Sequence, residues 1–376
     1  MKQISPDQLK DLIQGLQYRG YITIGPTLQN GAIVYSEILD INDLPIGITD
    51  SQKPGHYRTT QTNSNAIFNY VVGTQSIKRF LYPPIQKIFS AKFTEKKIEI
   101  QELDKPSQRY AFIGIRACEL EALKIHDTIF SKSEFKNSRY TTLRHNSLFI
   151  AVNCSKAEKN CFCTSMNTGP EVKYDYDLLL TEINKNERHY FLLEVGSEKG
   201  EDIINEFDFS DADESEINEK YKVIEKTKSQ IEKFLETDGV KESLLQSFES
   251  PVWDDIAKKC LACGNCTMVC PTCFCMTVED YTDLERNSAE RIQKWDSCYT
   301  LEFTYIHGGS VRVSVGSRYR QWLTHKFATW QEQFGTFGCV GCGRCITWCP
   351  VGIDVTEETT KIKKLSQLQT TSLEEL

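Results

Sequence analysis

The pattern of apolar and polar positions at the start of the chain predicts a helix followed by two strands, so that a small β element opens the protein. Residues 1–20 carry apolar side chains at helical spacing, which predicts an amphipathic helix. Two apolar runs follow at 21–26 and 32–39, and an Asn-Gly pair between them supplies the chemistry of a tight turn. Residues 41–66 are rich in Pro, Gly, Asn and Thr without a sustained period, so we expect an irregular surface segment there.

From residue 96 onward, strand-like and helix-like runs alternate. The stretch before it, 77–90, has helical spacing that two adjacent prolines interrupt. Alternation of strands and helices is typical of a layered sheet, so the first half is expected to be an α+β or α/β domain. The predicted strands are 98–103, 109–116, 147–153 and 190–195, and the predicted helix is 119–130.

The formal net charge of −8 is concentrated in one stretch. Residues 201–250 hold 15 acidic and 6 basic side chains, and their second half has helical spacing. We interpret 201–250 as an acidic linker or surface helical segment between an α/β domain at 1–200 and a cysteine-rich domain at 251–376. Elsewhere no basic stripe with interleaved aromatic residues occurs, which argues against a nucleic-acid partner.

The composition includes 15 cysteines in 376 residues, which is the outlying number. No apolar run approaches the roughly 20 residues of a membrane span, so an integral membrane segment is not expected. The first residues also lack the pattern of a signal peptide, and a cytoplasmic location is expected. In a reducing compartment, cysteines at this density are more often metal ligands than disulfides.

Two cysteine runs with the same spacing dominate the last third of the chain. Both follow C-x2-C-x2-C-x3-C-P, the run that holds iron–sulfur clusters in two-cluster ferredoxins, where the fourth cysteine ligates the other cluster. We therefore expect a ferredoxin-like, largely helical domain with two [4Fe–4S] clusters and a long insertion between the runs. The crossed assignment gives Cys260, Cys263, Cys266 and Cys349 to the first cluster and Cys339, Cys342, Cys345 and Cys270 to the second.

Small residues inside the runs suit this role, because Ala262, Val340 and three glycines permit close approach of backbone N–H groups to the cluster sulfides. A pair of zinc sites, and with it a zinc-stapled scaffold, is the alternative, since C-x2-C pairs also suit tetrahedral Zn²⁺.

The insertion between the runs is predicted to contain a helix at 282–295, a strand at 310–315 and an aromatic helix at 319–334. Several basic side chains lie in this part of the chain. They are either surface charges or flank the clusters, where they would stabilise the reduced state or meet an acidic partner. They are Arg291, Lys294, Arg312, Arg318, Arg320, Lys326 and Arg344.

Four cysteines of the first half are candidate ligands of a third [4Fe–4S] cluster. Cys118 and Cys154 each follow a predicted strand, and a right-handed crossover between the strands would bring both thiols to one carboxyl edge of the sheet. Cys161 and Cys163 come next, and an extended C-x-C places its sulfurs on one side, roughly 6.6 Å apart. The alternative is that these are buried or incidental thiols.

Three further cysteines, Cys273, Cys275 and Cys298, are interpreted as unligated thiols packed around a cluster, with a further metal site as the alternative. The lone His325 is expected to be structural. No G-x-G-x-x-G loop, P-loop or nucleophile elbow occurs in the sequence. The residues therefore predict a chain that stores and passes electrons without catalytic residues or a cofactor site beyond iron–sulfur.

Several segments together resemble a known family. They are GIRACE at 114–119, NCFCTSM at 160–166, CLACGNCTMVCPTCFC at 260–275, WDSC at 295–298, HKF at 325–327, CVGCGRCITWCP at 339–350 and LPIGITDSQKPGHY at 44–57. This combination resembles the iron–sulfur beta subunit of cytosolic NiFe hydrogenases of the sulfhydrogenase type. The same pattern occurs in the corresponding iron–sulfur subunit of anaerobic sulfite reductases.

The resemblance implies a non-catalytic electron-transfer subunit in a hetero-oligomeric oxidoreductase complex. Its implied partners are a flavoprotein subunit that binds NAD(P)H and, on the other side, a small iron–sulfur subunit with the NiFe catalytic subunit. In the sulfite reductase alternative, a siroheme subunit takes the place of the NiFe subunit. An iron–sulfur redox sensor is an alternative from another class, although the sequence shows no output element such as a DNA-binding helix-turn-helix.

Overall fold

The computed structural model describes residues 1–94, 97–102, 106–185, 188–285 and 287–374. The strands are β1 (Lys2–Ile4), β2 (Ile22–Gln29), β3 (Ala32–Glu37), β4 (Ile48–Lys53), β5 (His56–Gln61), β6 (Ile85–Phe93), β7 (Ile98–Glu102), β8 (Tyr110–Ile115), β9 (Leu148–Val152), β10 (Leu178–Lys185), β11 (Arg188–Val195), β12 (Ser210–Asp211), β13 (Met276–Thr282), β14 (Ser288–Trp295), β15 (Tyr305–Ile306) and β16 (Gly309–Ser310). The helices are α1 (Pro6–Tyr18), α2 (Lys78–Leu81), α3 (Ala117–Phe130), α4 (Ser138–Asn146), α5 (Glu198–Ile204), α6 (Glu214–Ser229), α7 (Val240–Gln246), α8 (Val252–Ala257), α9 (Asn265–Met268), α10 (Val315–Thr324), α11 (Trp330–Phe334), α12 (Arg344–Thr347) and α13 (Val355–Glu374), with 3-10 turns at Ile41–Asp43 and Leu301–Thr304 and a π turn at His325–Thr329.

The main sheet combines a parallel centre with antiparallel flanks. Within the described ranges its strand order is β12-β1-β11-β10-β9-β8-β2-β3. The four central strands β10, β9, β8 and β2 pair in parallel, and the outer strands pair antiparallel. Every side chain of β9 is buried, as expected for a strand covered on both faces. The mixed α/β character predicted for this part of the chain is confirmed.

The connection from β8 to β9 decides where the first-half cysteines lie. β8 leads through Arg116 into α3, and α4 leads into β9. The two strands are parallel neighbours, with Ile113 opposite Ile150. The predicted parallel pairing of the strands before Cys118 and Cys154 is thus confirmed, and both cysteines lie at the carboxyl edge of the sheet.

A second sheet joins the two halves of the chain. Its order is β13-β14-β6-β7, so a hairpin from the insertion pairs with a hairpin from the first half. The helix predicted at 282–295 is therefore wrong, because β14 has strand partners on both sides and this long-range pairing overrides local propensity. Residue 286 of that prediction lies outside the described residues, as does residue 103 of the predicted strand 98–103.

Three other local predictions differ from the structure. The middle of 41–66 is a regular hairpin, β4 with β5, rather than an irregular segment. The helix expected at 77–90 is the single turn α2 followed by β6, because prolines at 83 and 84 end it. The strand expected at 310–315 is reduced to β16, since Ser314 caps the start of α10. The aromatic helix is confirmed as α10, the π turn and α11 in continuous succession.

The acidic stretch 201–250 is folded against both halves. α6 packs on β10 and β11 of the main sheet. Leu235, Val240 and Leu244 lie in a second hydrophobic core with Trp322 of α10. The charged side chains of this stretch therefore lie on the exposed faces of helices whose other faces are buried. In the described part of the chain, no helix is long and apolar enough to cross a membrane.

Candidate metal centres

The first cysteine run forms a tight loop whose backbone faces sulfur. Ala262 and Gly264 adopt left-handed conformations, with φ of 51° and 73°, and these turn the chain back on itself before α9. The backbone N–H of Ala262 donates to Cys260 Sγ at 3.4 Å. Gly341 repeats this geometry in the second run, where its N–H donates to Cys339 Sγ at 3.5 Å. Both loops thus direct backbone dipoles at thiolates, as the small residues in the runs predict.

One cavity brings together the four cysteines expected for the first cluster. Its lining includes Cys349 from the second run beside the three leading cysteines of the first. The N–H of Ile353 donates to Cys349 Sγ at 3.3 Å, which holds this thiol in place. Cys263 is the exposed member of the set, so the cavity reaches the protein surface. The four cysteines of the crossed assignment that line it are Cys260, Cys263, Cys266 and Cys349, and Cys345 of the other set lines the same cavity.

The second set consists of Cys270 and the three leading cysteines of the second run. Burial raises the pKa of Cys339, Cys342 and Cys345, and the neighbouring Cys270 raises each of them further. Cys270 is the exception, because the thiol of Cys273 and nearby ammonium groups hold its pKa well below the usual range despite burial. The thiols of the second run and Cys270 are therefore electrostatic neighbours.

The four first-half cysteines also line one cavity. Cys118 comes from the first turn of α3, Cys154 from the edge beyond β9, and Cys161 and Cys163 from the loop that follows. Cys342 of the second set lines the same cavity. The third candidate site is thus adjacent to the second.

A buried cation faces the cavity of the first-half cysteines. Arg116 is 3% exposed and donates to three backbone carbonyls, those of Phe68 at 2.7 Å, Tyr70 at 3.1 Å and Asn153 at 3.3 Å. Among the described residues it has no carboxylate partner within ion-pairing distance. Burial raises the pKa of Cys154, and Arg116 opposes that rise by favouring the thiolate. A buried guanidinium beside four cysteines fits an anionic, thiolate-bound cluster.

Burial keeps the thiols of this site protonated in the absence of metal. It raises the pKa of Cys161 to about 12 and the pKa of Cys118 and Cys163 well above the usual value. Metal ligands must be deprotonated, so binding of iron at this site releases protons.

The second run interlocks with the Cys161–Cys163 loop through two glycines. The N–H of Phe162 donates to the Gly341 carbonyl at 2.8 Å, and Thr168 Oγ1 donates to the Val340 carbonyl at 2.7 Å. A Cβ at Gly341 would lie 2.6 Å from the Phe162 carbonyl oxygen, and a Cβ at Gly343 only 2.2 Å from that of Asn160. Only glycine at these two positions lets the second run lie this close to the Cys161–Cys163 loop. The contact holds two candidate sites next to each other.

A buried ion pair reinforces the same junction. Arg344 of α12 pairs with Glu119 of α3, and both side chains are almost fully buried. The other carboxylate oxygen of Glu119 accepts hydrogen bonds from Ser76 Oγ at 2.7 Å and the Ile77 N–H at 3.0 Å. Arg344 also lies near Cys118 and Cys342, since it opposes the rise in pKa that burial causes in both.

The basic residues of the insertion and second run divide between the two alternatives considered for them. Lys326 and Arg344 are buried beside cysteines, whereas Arg291 and Lys294 form exposed ion pairs with Asp280 and Glu279. Lys78 of α2, which the sequence did not single out, is buried next to Cys270 and Cys273. Arg116 and Glu119 were also overlooked, although both belong to the GIRACE segment and could have been found there.

The three remaining cysteines lie among these sites. Cys275 and Cys298 are close enough to shift each other's thiol pKa in opposite directions, and Cys273 and Cys270 form a second such pair. His325 packs against Phe274 and Trp330, and burial together with Lys326 lowers its pKa to about 4. Across the described ranges, no three His, Cys, Asp or Glu side chains are arranged to hold a single metal ion. The first-half set and the first-run set each line a cavity instead.

Comparison with known proteins shows similarity to a protein family and to a curated protein. Residues 259–353 match the family of the 4Fe-4S dicluster domain, which indicates two [4Fe–4S] clusters and favours them over the zinc sites considered above. A curated relative, "Sulfhydrogenase 2 subunit beta" of Pyrococcus furiosus, is 31% identical over 285 residues that cover 73% of this chain and 81% of the relative. No solved structure matches the chain. The chain therefore belongs to the family of iron–sulfur beta subunits of sulfhydrogenases.

Proposed function

We propose that this chain is a three-cluster electron relay within a cytoplasmic hydrogenase complex. Iron–sulfur clusters, when bound, accept and release single electrons. The relay would connect a flavoprotein subunit that binds NAD(P)H with a small iron–sulfur subunit and a NiFe catalytic subunit. The relative's description as a sulfhydrogenase subunit supports the hydrogenase side of this proposal.

The continuity of the cysteine sets is the observation that carries the proposal. Cys342, a ligand in the proposed second set, lines the cavity of the first-half set, and Cys345 of the same second set lines the cavity of the first set. The second set therefore lies between the other two. In this arrangement electrons cross the chain without a catalytic step of their own.

The proposed ligands follow from the two cysteine-lined cavities and from the cysteines between them. Cys339, Cys342, Cys345 and Cys270 would hold the central cluster. Cys260, Cys263, Cys266 and Cys349 would hold the outer cluster at the surface, and Cys118, Cys154, Cys161 and Cys163 the cluster of the α/β part. The α/β part at 1–200 thereby becomes a section of the relay in addition to any role in docking.

The exposed end of the relay is the first set. Cys263 is exposed, and the adjacent Leu261 is 63% exposed beside the same cavity. An apolar, accessible side chain next to a surface cluster suits close contact with a partner subunit. We propose that electrons enter or leave the chain here.

Reduction by NAD(P)H with and without the flavoprotein tests this function. The chain, purified anaerobically, should stay oxidised with NAD(P)H alone and bleach when the flavoprotein subunit of its own complex is added. Dithionite serves as the positive control for cluster content. Rapid bleaching of the isolated chain by NADPH would contradict the proposal.

A further inference from the structure

The environment of Cys270 contains two buried lysines that form no ion pair with a carboxylate in the described part of the chain. Lys326 is 6% exposed and comes from the π turn within the long aromatic helix. Its ammonium donates to Cys270 Sγ at 3.3 Å, Thr272 Oγ1 at 3.0 Å and the Gly338 carbonyl at 3.1 Å. These three contacts use all three donors of the ammonium group.

Lys78 approaches the same cysteine from the first half of the chain. It is 3% exposed and donates to the carbonyls of Cys270 and Cys273, both at 2.8 Å. Its ammonium also lies 4.3 Å from the ring centre of Trp295. Over the described ranges, neither lysine has a carboxylate within ion-pairing distance. A buried charge without a counterion is costly, so the thiolate of Cys270, together with the centre that it ligates, is the compensating anion.

The first set has a different environment. No lysine or arginine is among the described residues that line its cavity; aromatic side chains such as Tyr299 and Trp322 lie there instead. Arg318 lies close enough to favour the thiolate of Cys260, yet among the described contacts it makes no hydrogen bond to a cysteine sulfur. The positive charge is therefore concentrated on the Cys270 side.

We propose that Lys326, assisted by Lys78, raises the reduction potential of the centre that Cys270 ligates above that of the centre that Cys349 ligates. The inference rests on the proposed function, since it takes the crossed ligand assignment as given. Reduction adds one negative charge to a cluster, and a buried cation in contact with a ligand sulfur stabilises that added charge. At an effective dielectric constant of about 20, a positive charge about 5 Å from the added electron still stabilises the reduced state substantially. At equilibrium an electron would therefore occupy the centre that Cys270 ligates in preference to the exposed one, whichever way electrons cross the chain.

The test is an anaerobic redox titration of the iron-loaded full chain followed by EPR. Signals are assigned by the variants C270S and C349S, each of which should alter its own centre. In the wild type, the centre altered by C270S should be reduced at higher potential than the centre altered by C349S. The reverse order overturns the inference and needs no lysine variant.

Substitution of the lysine isolates its charge. Lys326→Gln keeps donors for Thr272 and Gly338 and should lower the ratio of reduced to oxidised Cys270 centre at least tenfold at a fixed potential, which is 59 mV for one electron. Lys326→Arg should keep the ratio within threefold of the wild type. The matched control is Lys294→Gln, which removes an exposed ammonium paired with Glu279.

Two results separate this inference from the proposed function. Iron-loaded K326Q protein with an unchanged Cys270 centre overturns the role of the lysine and leaves the relay intact. A wild-type chain without iron–sulfur signals overturns the proposed function itself. If K326Q fails to retain iron, the inference is still tested in the wild type by the order of the two reduction potentials, that of the Cys270 centre and that of the Cys349 centre.

Discussion

The contact of Gly343 with the first-half cysteine loop provides a sharp test of how two candidate sites are joined. Gly343 has φ of 73°, and a Cβ there would lie 2.2 Å from the Asn160 carbonyl oxygen and 2.5 Å from its carbonyl carbon. Both are backbone atoms, which cannot rotate away as a flexible side chain can. The variant Gly343→Ala must therefore separate the second run from the loop that carries Cys161 and Cys163.

The expected cost has two parts. A non-glycine residue in the left-handed region costs roughly 1–2 kcal/mol. Displacement of packed backbone adds about 1–3 kcal/mol, by analogy with overpacked cores. We therefore expect Gly343→Ala to lower the free energy of unfolding by about 2–5 kcal/mol.

Gly335→Ala is the matched control. Gly335 has φ of 69°, and a Cβ there would meet nothing within 4 Å, so this variant carries the backbone strain without the collision. Thermal unfolding of the iron-loaded chains, with iron counted before and after, compares the two. G343A should show a midpoint depression at least twice that of G335A and should lose iron first. Equal depressions, with full iron in both, would refute the proposed junction.

Three further outcomes are expected. Glu119→Gln leaves Arg344 buried without its counterion and should cost about 3–5 kcal/mol in chemical unfolding, whereas Asp280→Asn, which breaks the exposed pair with Arg291, should cost no more than about 1 kcal/mol; similar costs would show that the buried pair is not structural. Burial lowers the pKa of His126 to about 3, so below the unfolded pKa of about 6.5 only the unfolded chain binds this proton. The free energy of unfolding should therefore fall by about 2 kcal/mol between pH 6.5 and 5. The variant His126→Leu should lose this part of the pH dependence of stability. Parallel pH profiles of wild type and variant would contradict this origin. Reconstitution of the metal-free chain with iron and sulfide should release protons, because burial raises the pKa of Cys161 to about 12; a potentiometric titration without proton release, despite full iron uptake, would contradict the buried thiols.

The spacing of cysteines carries most of what the sequence can predict about the sites. C-x2-C-x2-C-x3-C-P fixes loop geometry locally, and the rule that the fourth cysteine of such a run ligates the other cluster predicts that Cys349 lies with the first run. The neighbouring ends of β8 and β9 were also predictable, since one helix-bearing connection joins them. These features depend on residues that are close in sequence or obey a general topological rule.

Contacts between distant segments explain what the sequence could not predict. β14 is a strand because β6, some 200 positions earlier, pairs with it. Lys326 could not be separated from the other basic residues, since its contact with Cys270 arises only when the insertion folds back. Gly341 and Gly343 were expected to make room for cluster sulfides, yet the structure also uses them to admit the backbone of the Cys161–Cys163 loop. A glycine in the sequence thus indicates that another group lies close to the backbone, but it does not identify that group.

Iron content per chain tests the three-cluster relay most directly. The full chain, purified anaerobically and reconstituted, should hold about 12 iron atoms, the number for three cysteine-ligated [4Fe–4S] clusters. The double variant C154S/C161S should hold about 8, and the control C275S, at a cysteine outside the three sets, should keep about 12. A folded wild-type chain that saturates at about 8 iron atoms, with the double variant unchanged from it, would contradict a third cluster in the α/β part.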